Sequence, residues 1–154
     1  RWTAEHRFVD ANNITALLQG STVVADCTDD LVARALIDRT CRALHIPLVS
    51  GAVYAHQVQV ITCVGTDHSR GQPGFFQGRS ADEQLTCDMR EVPAAVTTLT
   101  ASLMSLRIAN LLQGGDGLAG VMDLVDAQQG RWLRIMGPEA VEFMDTPINR
   151  TPHV

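Results

Sequence analysis

The chain has 154 residues, 45% of them hydrophobic and 19% charged, a composition that suits one globular domain able to bury a core. Its net charge of −5 argues against a nucleic-acid-binding face, which is normally basic. No run of about 18 apolar residues is present, so no membrane span is expected.

The sequence begins at Arg1 rather than Met, and no charged-then-apolar leader follows. The expectation is a cytoplasmic protein without a secretory signal, its numbering starting inside a longer gene product or after processing. The four cysteines, Cys27, Cys41, Cys63 and Cys87, form no C-x-x-C pair. A zinc ribbon is therefore not expected, and free thiols suit a reducing compartment. Cys27, Cys41 and Cys63 lie on apolar stretches and are read as core packing.

Asp10-Ala-Asn-Asn13 supplies capping side chains for a short helix at Ile14–Leu18, which ends near Gly20. Val23 to Ala25 reads as a short buried strand that reaches Asp26. Three carboxylates, Asp26, Asp29 and Asp30, then fall within five residues. The carboxyl ends of strands are where open α/β sheets bind ligands. Thr28 or Asp29 is expected to cap the next helix, with Leu31, Ala35, Leu36, Cys41 and Leu44 as its apolar stripe. Arg34, Asp38, Arg39 and Arg42 lie mainly off that stripe. His45 and Pro47 close the helix, and Leu48 to Gly51 forms a second buried strand. Residues 22–50 thus have the length of a βαβ unit, whose crossover should be right-handed.

Tyr54 to Cys63 alternates as a longer strand does, with Val58, Val60 and Thr62 on one face and Gln57, Gln59 and Ile61 on the other. Residues 65–84 are rich in Gly and polar side chains without a period, which predicts a long loop leading to Cys87. Pro93 opens a helix to about Leu112, with a stripe of Val96, Leu99, Leu103, Leu106 and Ala109 or Asn110. Met104, Ile108, Leu111 and Leu112 fill much of its other surface. That suits a core helix, or one shared between core and subunit interface. After the break at Gly114–Gly117, Val121–Val125 and Trp132–Ile135 read as a hairpin around Asp126–Gly130. The predicted domain covers residues 1–136, and a proline-containing tail covers 137–154.

The acids have two readings. Negative charge at a helix start is favoured by about 0.3–1 kcal/mol, so capping accounts for one of them and solvated surface charge for another. Three carboxylates at a strand end also suit magnesium, a hard cation that takes oxygen ligands. Cys87 lies three residues before Arg90, and a nearby cation favours the nucleophilic thiolate; an ordinary buried cysteine is the alternative. His45, His56 and His68 have no ligand-like spacing. G-x-x-x-x-G-K-[ST] does not occur, and no G-x-G-x-x-G stands between a predicted strand and a following helix.

Asp26-Cys-Thr-Asp-Asp30, then Arg34, then Ile46-Pro-Leu-Val-Ser-Gly-Ala52 resemble the ThiF/MoeB/HesA family, which is related to ubiquitin-activating enzymes. Its members carry D-C-T-D-N, an Arg four residues on, and a P-L-V/I-S/T-x-A-type strand. Gln57-Val-Gln-Val60 resembles the family's G-Q-[IL]-x-V strand. The order of loop, cysteine, proline, long apolar helix and final hairpin matches as well, so the likeness spans roughly residues 14 to 136. The resemblance implies an α/β fold: a Rossmann-like, mostly parallel sheet with later antiparallel strands, lacking its N-terminal nucleotide-loop half. It also implies ATP- and magnesium-dependent adenylation of a carboxylate, usually the C-terminus of a ubiquitin-like sulfur carrier or a peptide, by a homodimer or heterodimer. Asp29 matches the magnesium- and adenylate-contacting Asp. Asp26 and Arg34, in the same block, join Asp29 as cofactor-binding candidates. Cys87 matches the cysteine that some members use for thioester or sulfur transfer.

This sequence departs from the family pattern in four respects. Asp30 stands where Asn is usual. Cys87 is followed by Asp-Met-Arg-Glu-Val rather than Ala-Gly-Val, and the zinc-binding cysteine pairs are missing, so no zinc is expected. The family's glycine-rich loop, with the arginine and lysine that follow it, has no counterpart in residues 1–13. The chain is therefore expected to supply one wall of a nucleotide site and to be inactive alone. A non-catalytic module that pairs with a catalytic partner is the alternative. A dehydrogenase-like Rossmann fragment is a third reading, with no dinucleotide fingerprint to support it.

Overall fold

The structure is a computed structural model, and it describes residues 2–64 and 92–136. The predicted loop over 65–84, Cys87 and the tail from Gly137 lie outside those residues. The elements are α1 (Ile14–Leu18), β1 (Val24–Asp26), α2 (Leu31–Ala43), β2 (Leu48–Tyr54), β3 (Gln57–Cys63), α3 (Ala94–Leu112), β4 (Val121–Asp126) and β5 (Arg131–Met136). The five strands form one sheet in the order β1-β2-β3-β4-β5. β1 and β2 are parallel, and every later neighbour is antiparallel. The chain is α/β, and within the described residues the parallel part of the sheet is the single β1–β2 pair.

Residues Tyr54 to Cys63 do not form one strand. Tyr54 ends β2, Ala55 and His56 turn the chain, and β3 begins at Gln57, paired with Tyr54. Ala55 takes a left-handed φ of 49°, a conformation for which Gly or Asn is the usual signal. Ala-His carries no such signal, which is why the alternation reads straight through the turn. Beyond the turn the expected faces hold. Val58 and Val60 pack with Val49, Val125, Val96 and Met104 on the α3 side. Ile61 packs with Ile14, Ile37, Cys41, Leu48 and Cys63 on the α1–α2 side. Helices thus cover both faces of the sheet's central strands, as their doubly apolar character requires, while β5 is exposed along its length.

On both long helices the buried face includes polar residues. α2 buries Arg34, Ile37, Asp38, Thr40 and Cys41, so Arg34 and Asp38 belong to the packed face and not to the solvent side expected from periodicity. Asp38 tolerates burial because Arg42 Nε donates to it at 3.0 Å, one helical turn on. α3 buries Val96, Thr100, Met104 and Arg107, whereas Leu106, expected in the stripe, is 69% exposed. α3 can approach β2 closely because Gly51 lies beneath it: a Cβ there would stand 2.3 Å from Met104 Sδ. By length and composition α3 could cross a membrane. In this fold it packs on β2 and β3 and carries a buried ion pair.

That pair joins α3 to the antiparallel end of the sheet. Arg107 Nη2 donates to Asp123 Oδ2 at 2.6 Å, and Arg107 Nη1 donates to Val121 O at 2.8 Å and Thr62 Oγ1 at 3.1 Å. Asp123 also accepts from Arg134 Nε at 2.8 Å and Trp132 Nε1 at 3.0 Å. Every buried charge in this cluster has several partners, the condition under which such burial is tolerated.

Candidate functional site

The site grows from the parallel register of β1 and β2, which sets Asp26 beside Ser50. Asp26 is 2% exposed, and its oxygens are committed to the protein. Oδ2 accepts from Ser50 Oγ at 2.8 Å, and Oδ1 accepts from Thr28 N at 2.9 Å and Thr28 Oγ1 at 2.7 Å. An Asp that accepts from the amide two residues on folds the chain into a tight turn. The turn carries the backbone off the strand end and into α2.

Asp30 starts that helix. Its backbone is extended (φ −93°, ψ 120°), and its side chain accepts from Ala33 N at 2.7 Å. The N-cap is thus Asp30, not Thr28 or Asp29, because the Thr28 hydroxyl and amide are held by Asp26. Arg34, one turn into α2, reaches back beneath the loop. Nε donates to Thr28 O at 2.7 Å, Nη2 donates to Gly51 O at 2.6 Å and to Thr28 O, and Nη1 lies 3.5 Å from Ser50 Oγ.

The three acids therefore have three different situations. Asp26 is buried and hydrogen-bonded, and Asp30 is the helix cap. Asp29 is exposed, and no described residue pairs with its carboxylate. It stands just before the N-terminus of α2, at the carboxyl end of β1. Of Asp26, Asp29 and Arg34, Asp29 is the one with its charge directed to solvent. Cys87, the other candidate, is outside the described residues.

Among the described residues no group of three His, Cys, Asp or Glu side chains could hold a metal ion. An all-protein cation cage is absent there. Magnesium, however, is commonly held by one or two carboxylates together with substrate phosphates, and a strand-end carboxylate with no partner among the described residues fits that mode. Asp29 is the residue that would hold it.

The cysteines divide by environment. Cys27 is exposed rather than packed in the core, with its Sγ 4.0 Å from Met104 Sδ. Burial, reinforced by the charges of Asp38 and Asp26, pushes the Cys41 thiol up to about 12, so thiolate is scarce at neutral pH. Brief iodoacetamide treatment of the native protein, followed by peptide mapping, should modify Cys27 and leave Cys41 unmodified until denaturant is added.

Two contributors are not site candidates on sequence: Thr28, expected only as a helix cap, and Ser50. Ser50 had a signal: it is a lone hydroxyl in an otherwise apolar buried strand, and such a group needs a partner.

The ThiF family matches residues 2–140. The adenylyltransferase and sulfurtransferase MOCS3 of Anopheles gambiae is 31% identical over 135 residues, covering 84% of this chain and 30% of that protein. The molybdopterin-synthase adenylyltransferase of Escherichia coli K12 is 27% identical, covering 87% of this chain and 55% of that protein. The sulfur carrier protein ThiS adenylyltransferase of Escherichia coli K12 is 27% identical, covering 71% of this chain and 43% of that protein. The chain thus spans between about a third and about a half of these relatives. A crystal structure of PaaA superposes with a TM-score of 0.58 at 16% identity, covering 82% of this chain and 38% of that one, a likeness of fold alone. With the match running through the strand end, the capped helix and the antiparallel sheet, this chain belongs to the ThiF family.

Proposed function

We propose that this chain is part of an ATP-dependent adenylyltransferase that activates the C-terminal carboxylate of a ubiquitin-like sulfur carrier or a peptide. One observation carries the reading. Of three clustered acids at a strand end, two are held by internal hydrogen bonds and Asp29 has no partner among the described residues, in a chain whose relatives are adenylyltransferases.

In the proposed reaction an acceptor carboxylate oxygen attacks the α-phosphorus of ATP. The bond from the α-phosphorus to the bridging oxygen breaks, pyrophosphate leaves, and a carboxyl-adenylate forms. Magnesium, when bound, would neutralise charge on the triphosphate. The role of this chain is to hold Asp29 rigidly at the strand end, where it would bind the metal beside the phosphates. The phosphate-binding wall comes from another part of the protein. Cys87 is the candidate for a later thioester or sulfur-transfer step.

The test is intact-mass analysis of ubiquitin-like proteins and peptides after incubation with the full-length protein, ATP and magnesium. The expected result is an AMP adduct on an acceptor C-terminus that hydroxylamine discharges. A folded full-length protein that adenylates none of the acceptors would instead favour a non-catalytic module that pairs with a catalytic partner.

A further inference from the structure

We infer that Ser50, with Asp26 and Arg34, acts as a positioning set that fixes the turn carrying Asp29, and that none of the three touches the nucleotide. The inference rests on the adenylation reading for its metal arm and on geometry for the rest.

The turn is held from both of its polar sides. Asp26 takes the Thr28 amide and hydroxyl, and Arg34 takes the Thr28 carbonyl. Both holding groups are anchored to β2. Ser50 Oγ donates to Asp26 Oδ2 at 2.8 Å, and Arg34 Nη2 donates to Gly51 O at 2.6 Å. Ser50 lies between the two charged groups, 3.5 Å from Arg34 Nη1.

All three side chains are buried: Asp26 is 2% exposed, Arg34 6% and Ser50 1%. Their polar atoms point into the β1–β2–α2 junction, where a ligand at the surface cannot reach them without unfolding the turn. A carboxylate meant to meet a small, geometrically demanding cation must be held in place by its supporting residues. Here β2 positions the Asp29 loop through side-chain bonds, although β2 itself contributes no ligand. Asp26 and Arg34 pass from cofactor contacts, as their motif suggested, to the support beneath one.

The experiment uses full-length protein carrying Ser50→Ala, Ser50→Thr or Arg34→Lys. The first readout is hydrogen exchange at the Thr28 amide. The second is affinity for Mn²⁺ with a non-hydrolysable ATP analogue, followed by electron paramagnetic resonance. For Ser50→Ala we expect Thr28 exchange to accelerate and metal–nucleotide affinity to weaken, each by about tenfold, in keeping with the loss of one hydrogen bond to a charged group. Ser50→Thr, which keeps the hydroxyl, should restore both. Arg34→Lys should loosen the same amide, because an ammonium cannot span the Thr28 and Gly51 carbonyls as a planar fork does. Wild-type Thr28 protection in Ser50→Ala would overturn the inference, and so would lost affinity without any change at Thr28. If the wild-type protein binds no metal–nucleotide, the adenylation reading fails, and the exchange readout still decides the positioning role.

Discussion

Asp29→Asn in the full-length protein is expected to lower adenylation on the order of 10²-fold or more, with thermal stability essentially unchanged. The rate effect follows from losing the charge that would hold the metal against the triphosphate, and removal of one preorganised electrostatic contact to a reacting group has effects of that size. The unchanged stability follows from the site. Asp29 is exposed, and no described residue pairs with it, so the substitution should cost no more than about 0.5 kcal/mol. Its neighbour provides the control. Asp30 caps α2 through Ala33 N, so Asp30→Ala should lose about 1 kcal/mol of stability while retaining most of the rate. Were the roles of the two acids reversed in these assays, Asp29 would be a surface charge and the site would have to be sought elsewhere.

The largest effect on stability is expected at the far end of the sheet. Asp123→Ala should cost about 3–5 kcal/mol, because it leaves the buried Arg107 guanidinium without its counter-ion. Chemical denaturation of the two proteins measures this directly. Replacing Arg107 by Met in the same variant should recover part of the loss, since removing both charges is less costly than stranding one.

The same carboxylate predicts an acid-side dependence. Burial alone would raise the Asp123 carboxyl, but hydrogen bonds from Arg134, Trp132 and Arg107 outweigh it and hold the group at about 2, below its ordinary 3.8. A group depressed on folding stabilises the native state fully above its unfolded value and loses that contribution as pH falls through the folded one. Asp123 should therefore contribute about 2 kcal/mol above pH 4, fading as the pH drops from 3.8 toward 2. Wild-type and Asp123→Ala stabilities should converge over that window. Curves that stay parallel through it would show that the ion pair does not couple folding to protons.

Local pattern was a good guide wherever local forces decide the structure. The strand ending at Asp26, the capped helix after it, the face alternation of β3 and the final hairpin all followed from apolar spacing and turn chemistry. It failed where a buried face is polar. Arg34 and Arg107 each occupy a packed helix face because a partner distant in sequence, Gly51 O or Asp123, receives the charge. Periodicity ranks residues by hydrophobicity and carries no information about such partners. The acids show the same limit. Their spacing marked a cluster, but only the fold, with the register that sets Asp26 against Ser50, separates a buried, hydrogen-bonded carboxylate from an exposed one. The hairpin at Ala55 was hidden because its left-handed residue is neither Gly nor Asn.

We propose that this strand end forms part of an adenylation site. The most direct measurement is acceptor-dependent exchange of labelled pyrophosphate into ATP by the full-length protein. The expected result is exchange that needs magnesium and an acceptor carboxylate and that collapses in Asp29→Asn. Exchange that is absent with every acceptor in a folded sample, or that persists unchanged in Asp29→Asn, would contradict it.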